Sequence, residues 1–485
     1  MYCYADHTIS TKSGDKMLFC PVGALVVGML LLQRASSFTP LRPQTSPSSP
    51  SSPLPKQKKE TLDVVRGVVV NSDAPIRNKF GGDIALVQTS NNTMDDIPLY
   101  ITLGMMQLLP PLSIFMDATV GSPEFLARKG ISYLYFVVTA SLTVFLGSRR
   151  SDIKVFEGES LIGPKNAIAA PFISSAILFT FYTVLKSANF EKVFEVSYQI
   201  LALLIGGLSI DTIISLSFIN NVTSEQSQSV SVEESAKEGN DISTSTEGLV
   251  ISSLVVLGYL LSSSLGNGDI NSYFAIAFFN NIIAVSIALQ ATSLVRVKNF
   301  AVCCALLSGL FFYDVYFVFG SDIMMTVATK VEAPVKMLFP ASLSTIPDRS
   351  YPYSVLGLGD IVVPGIMSAF AYRFDCMKKN AAALEVTKIE RKSGIFRRRS
   401  KKTETPVLTG PQSLSASSYS YLNSSVVGYI SGLLLAFTAN EVMQRGQPAL
   451  LYLVPTVITS MFITAFKNEE FGLLWGEGLS EVEKV

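Results

Sequence analysis

The 485-residue chain contains a single histidine, His7, ahead of its first apolar run. That scarcity removes two protease chemistries. A zinc site of the HExxH kind needs two histidines on one helix, and a serine nucleophile normally needs a histidine as its base. Charge is scarce too: 16% of residues are charged, and 38 basic side chains balance 38 acidic ones. Bulk charge therefore gives a nucleic acid no electrostatic reason to bind. Cysteine is the third shortage. Cys3, Cys20, Cys303, Cys304 and Cys376 lie in or beside apolar runs, with neither zinc spacing nor a disulfide framework. They read as small hydrophobes in helices, and no metal site is expected.

Apolar residues are plentiful. They make up 48% of the chain and include 30 phenylalanines, a composition that suits a protein whose outer surface faces lipid. About 20 apolar residues cross a hydrocarbon core. Nine segments meet that length: Ile131–Gly147, Ile168–Leu185, Val193–Phe218, Gly248–Leu265, Ser272–Leu294, Phe300–Gly320, Tyr353–Tyr372, Tyr419–Val442 and Pro448–Phe466. The expected fold is an all-α polytopic bundle of nine transmembrane helices. Arg149, Arg150 and Lys154 follow the first span, and Arg296 and Lys298 precede the sixth. A basic linker follows the seventh, and Lys467 follows the ninth. With alternating spans these sites share one side, which the positive-inside rule makes cytosolic, so the C-terminus is expected in the cytosol.

The chain divides on this pattern into a leader (1–59), a short non-cytosolic region (60–130), spans one to five (131–295), spans six and seven (296–375), a basic linker read as a cytosolic loop (376–418), the last two spans (419–466) and a tail (467–485). The leader pairs the apolar run Met17–Leu32 with a Ser/Pro repeat and no acid between Lys16 and Lys59. It resembles a signal peptide with a flexible spacer, and also the bipartite presequences of plastids with extra membranes. Ile97–Met116 is long enough to span but carries Pro110-Pro111, so a span and a re-entrant element both fit.

Two aspartates sit inside apolar runs: Tyr313-Asp314-Val-Tyr-Phe in the sixth span and Gly357-Leu358-Gly359-Asp360-Ile in the seventh. Each costs about 2.5–3.5 kcal/mol at a bilayer centre on an insertion scale, so a chain that keeps both has a use for them. Two carboxylates within hydrogen-bonding reach cannot both ionise cheaply and share a proton. One then takes a proton from water while the other polarises a peptide carbonyl, which needs neither metal nor cofactor. Gly357 and Gly359 let backbone approach closely beside the acid. Pro364 deprives the Asp360 carbonyl of its helical donor, which is expected to loosen the helix there. Tyr313 fits a hydrogen bond near the pair and equally a packing role. Far along the chain, Gln447-Pro448-Ala449-Leu450 opens the ninth span with a proline and a small residue.

Other polar residues in spans are expected to be structural. Asp211 has no glycine or proline motif around it, Glu441 lies at the end of the eighth span, and Asn280 and Asn281 suit interhelical hydrogen bonds.

Taken together, these motifs resemble the GxGD intramembrane aspartyl proteases, relatives of presenilin. The strings Tyr313–Gly320, Glu332–Lys336, Leu356–Gly365 and Gln447–Pro455 are similar to the signal peptide peptidase branch. The resemblance, over about Ile131 to Lys467, implies catalysis by Asp314 and Asp360 and a substrate-holding role for the Pro-Ala-Leu motif. It implies cleavage within type II transmembrane segments, including signal-peptide remnants, in the endoplasmic reticulum membrane. The chain ends Glu483-Lys484-Val485, without a di-lysine retrieval signal, and the leader leaves a plastid-associated membrane open. Lipid, membrane-spanning substrates, a second copy or degradation machinery are the partners consistent with this reading. Two rivals are an inactive homologue that binds membrane proteins for degradation, and a proton-coupled transporter using the paired aspartates.

Overall fold

The structure is a computed structural model that describes residues 76–77, 83–84, 92–113, 125–151, 162–186, 191–225, 246–265, 270–320, 334–340, 353–397, 419–443 and 447–475. The leader and the second half of the basic linker lie outside the described residues. In chain order the elements are β1 (Ile76–Arg77), β2 (Asp83–Ile84), α1 (Asn92–Met106), α2 (Phe125–Arg150), α3 (Pro164–Lys186), α4 (Glu191–Glu225) and α5 (Thr246–Leu265). Then follow α6 (Ile270–Leu294), α7 (Phe300–Phe319), β3 (Lys336–Pro340), β4 (Tyr353–Gly357), α8 (Gly359–Arg397), α9 (Ser420–Met443), α10 (Leu450–Lys467) and α11 (Phe471–Trp475).

Among the described residues, eight helices are long and apolar enough to cross a membrane: α2 to α7, α9 and α10. This is the polytopic helical fold expected. The seventh expected span, Tyr353–Tyr372, differs. Its first five residues form β4, and the helix that follows carries Asp360, Arg373 and Asp375. Strand β4 pairs antiparallel with β3, Lys336 opposite Gly357 and Pro340 opposite Tyr353. Short apolar runs do not separate strand from helix by periodicity, and here a partner strand decides.

Helix α8 is the centre of the bundle, in contact with α2, α6, α7, α9 and α10. Phe370 and Phe374 are buried within it, Phe370 against Phe300 of α7 and Phe374 against Tyr421 of α9. Its carboxyl half corrects the sequence reading. The helix runs on through Met377 to Arg397, where a loop was expected. The reason is composition: Ala, Leu, Glu, Lys and Arg dominate this stretch, all strong helix formers, and no glycine interrupts it before Gly394.

One joint holds three helices in register. Thr292 of α6 sits between Gly147 of α2 and Gly365 of α8. A Cβ on Gly147 would lie 2.9 Å from Thr292 Cβ, and one on Gly365 would lie 3.0 Å from its Cγ2. Only glycine leaves room for that approach. Lower down, Asp375 of α8 accepts the backbone N–H groups of Tyr421 (3.0 Å) and Leu422 (2.9 Å). It thereby caps the start of α9, whose first N–H groups have no partner of their own.

Candidate active site

Asp314 and Asp360 are buried, at 2% and 1% exposure, and lie within electrostatic range of each other. Asp314 falls on the inward side of α7, with Tyr313 and Phe317, while Phe312, Tyr316 and Phe319 point outward. The Tyr313 ring packs 4.8 Å from that of Phe317.

Asp360 stands in the first turn of α8, immediately after the hairpin. The helix is not loosened around it; the helix begins there. Strand β4 ends at Gly357, Leu358 turns, and the Leu358 carbonyl accepts the N–H groups of Ile361 and Val362 at 3.1 and 2.9 Å. The Leu358 N–H reaches back to the Val335 carbonyl at 3.4 Å. The Gly357-Leu358-Gly359 motif is thus a strand-to-helix hinge that delivers Asp360 into the protein interior. Pro364 follows within α8, so the Asp360 carbonyl has no i+4 donor in its own helix.

The Pro-Ala-Leu motif meets Asp314. Gln447, Pro448, Ala449 and Leu450 are all buried, and α10 starts at Leu450. The first N–H groups of a helix lack intrahelical acceptors, and that of Leu450 bonds to the Asp314 carboxylate. The carbonyls of Pro448 and Ala449 accept from Leu451 (3.2 Å) and Tyr452 (3.0 Å), closing the turn beneath. The motif therefore brings the amino end of a helix, with its partial positive charge, to an acid.

Other polar residues resolve differently. Asp211 is buried on α4, which packs chiefly against α3, α5 and α6, away from the pair. Glu441 accepts the Tyr133 hydroxyl at the end of α9. Asn280 and Asn281 hold a strand as well as a helix. Asn280 Nδ2 donates to the Lys336 carbonyl (2.6 Å). Asn281 takes both backbone groups of Leu338, donating to its carbonyl and accepting from its N–H, each at 2.7 Å. Asn281 also donates to the Tyr135 hydroxyl of α2 at 2.8 Å, the one interhelical bond of the kind expected. These side chains occupy the outer edge of β3 as another strand would. Among the described residues the other edge, that of β4, pairs with no further strand.

Sequence reasoning missed Tyr429 of α9, fully buried and within electrostatic range of Asp360. Nothing in its apolar helix marks it. The asparagine clamp had a signal in the adjacent amides of α6, but its strand partner was hidden in a span.

Among described residues no group of three or more His, Cys, Asp or Glu side chains could hold a metal ion. The described residues bring together two carboxylates, a helix amino end and a strand edge that pairs with no further strand among them.

The signal peptide peptidase family profile matches residues 155–481, which takes in both aspartates, the hairpin and the Pro-Ala-Leu motif. The mouse protein named signal peptide peptidase is 27% identical over 359 residues, 70% of this chain and 82% of that protein. Its human counterpart is 27% identical over 369 residues, 73% of this chain and 85% of its own length. Intramembrane protease 2 of Caenorhabditis elegans is 34% identical over 198 residues, 40% of this chain and 37% of its own. With the match extending over more than half its length, the chain belongs to the signal peptide peptidase family and is, as members of that family are, a peptidase.

Proposed function

We infer that this peptidase is an intramembrane aspartic endopeptidase in which Asp314 and Asp360 share the catalytic work. The carrying observation is the burial of both carboxylates at one place, with the amino end of α10 directed at Asp314. One aspartate, ionised, removes a proton from water as its oxygen attacks the scissile carbonyl carbon. The other, protonated, gives its proton to the carbonyl oxygen. The resulting tetrahedral diol collapses as the first aspartate returns its proton to the departing amide nitrogen and the second recovers its own from a hydroxyl.

A transmembrane helix offers no accessible carbonyl, because its backbone groups bond within the helix. The substrate must be unwound near the scissile bond. The edge of β4 that pairs with no further strand among the described residues runs into Gly357, and an extended peptide paired to it would replace lost helical hydrogen bonds with strand ones beside Asp360.

With α8 counted as a crossing helix, the bundle has nine. The C-terminus then shares a side with Arg149 and Arg150 and is cytosolic. The names of the mouse and human relatives point to signal-peptide remnants as substrates, and type II transmembrane segments extend that class. The endoplasmic reticulum membrane is the site this reading favours.

The test is cleavage of a type II transmembrane reporter peptide in nanodiscs by the wild type and by Asp360→Ala and Asp314→Asn. Loss of cleavage in both, with normal protein yield, is expected; cleavage persisting in both sinks the mechanism.

A further inference from the structure

Helix α1 precedes the family match and takes no part in the reading above. It packs on α2. Asp96 near its start pairs with Arg149 at the far end of α2 (2.7 Å), and Gln107 just past its end meets Tyr135 near the beginning of α2 (3.0 Å). The two helices are therefore antiparallel and share most of their length. The face of α1 turned away from α2 shows Ile97, Ile101 and Met105 at helical spacing, and past the end of the helix Leu108 and Leu112 are exposed as well. Asp96 on α1, and Gln107 and Ser113 past its end, are polar and buried. Water would not leave such a stripe uncovered. Lipid would, and α2 beside it is itself a membrane-crossing helix.

Gln107 opens a chain of hydrogen bonds. Its amide orientation is fixed, Nε2 donating to the Leu103 carbonyl at 3.0 Å, which leaves Oε1 to accept the Tyr135 hydroxyl at 3.0 Å. The Tyr135 oxygen accepts from Asn281 at 2.8 Å, and Asn281 clamps both backbone groups of Leu338. Donors and acceptors alternate correctly along all four residues, and every side chain in the chain is buried. The Tyr135 ring also packs 5.3 Å from Phe339, next to Leu338. The hairpin held at its far end is the one that delivers Asp360.

We propose that α1 is a membrane-embedded brace, and that Gln107 is a positioning residue which sets the catalytic hairpin through Tyr135 and Asn281. This rests on the aspartic-protease reading for its effect on rate, though not for its effect on the hairpin. Gln107→Met keeps the volume and removes the acceptor. It takes from the buried Tyr135 hydroxyl the acceptor for its proton and loosens the hold of Tyr135 on Asn281, which is expected to lower kcat about tenfold with KM unchanged.

The experiment uses the full chain in nanodiscs, with reporter cleavage and hydrogen exchange of the segment 336–340 measured side by side. Gln107→Met and Tyr135→Phe each lower kcat at constant KM, the double variant is no slower than the slower single one, and both single variants speed exchange in 336–340. Effects that multiply in the double variant, or exchange unchanged in the singles, overturn the proposal. If Gln107→Met does not fold, Tyr135→Phe, which removes only an oxygen, carries the exchange test. A wild type that cleaves nothing refutes the catalytic reading alone, since exchange in 336–340 still decides whether the brace exists.

Discussion

Asp314 and Asp360 ride on helices of opposite character. Every residue of α8 from Gly359 to Asp375 is buried, with α2, α6, α7, α9 and α10 around it. Helix α7 packs chiefly against α3, α8 and α10, and exposes Phe312 (68%), Tyr316 (64%) and Phe319 (59%) along one side. One carboxylate is therefore mounted on a central post and the other on a peripheral helix. The difference assigns separate tasks. Geometry that must not vary belongs to α8 and its hairpin, whereas the adjustment that admits a substrate and water is cheapest at α7, which has fewer neighbours to disturb.

The largest expected effect treats the two helices alike. Under the proposed mechanism, in which each carboxylate handles a proton of the same reaction, Asp360→Ala and Asp314→Asn should each lower reporter cleavage by on the order of 10²–10⁴-fold. A large residual rate in only one of them would show that the two acids are unequal in chemistry as well as in packing. The next prediction separates the helices. Gly365→Val in the post drives a side chain into Thr292 and should cost about 1–3 kcal/mol of stability, read as a lower midpoint in detergent thermal denaturation. Asp375→Ala removes the cap on α9 and should cost about 0.5–2 kcal/mol in the same assay. Smallest of all, Phe312→Ala on the outward side of α7 should stay within about 0.5 kcal/mol. If Phe312→Ala unfolds the protein as readily as Gly365→Val, the contrast between post and periphery is wrong.

The pair was legible before any coordinates, since an aspartate in an apolar run announces its own cost and the surrounding glycine and proline strings are specific. The Pro448-Ala449-Leu450 motif was legible as a constellation, but its role was not: that a helix starts at Leu450 and bonds Asp314 through a backbone N–H is a fact about geometry that no side chain encodes. The hairpin was hidden for another reason. Tyr353–Gly357 continues without a break into Leu358 and the apolar part of α8, so hydrophobicity alone merges strand and helix into one apparent span. The extension of α8 to Arg397 was obscured by the opposite bias, in which a charged stretch was taken for a loop although its residues favour helix. Gln107 and Tyr135 are 28 positions apart and their pairing depends on two helices lying side by side, which neither sequence neighbourhood records.

The threonine wedged between two glycines has a mechanical consequence. With α2, α6 and α8 in close contact at Thr292, sliding of the post along its neighbours would drive backbone into that side chain, and a tilt about that point disturbs the contact least. Gly365 lies five residues from Asp360, a lever arm of about 7.5 Å at 1.5 Å per residue. A tilt of about 10° about this fulcrum would carry Asp360 roughly 1.3 Å, the difference between a hydrogen bond made and one broken. A short lever with its pivot close to the working end trades reach for accuracy, as a gauge does rather than a gate.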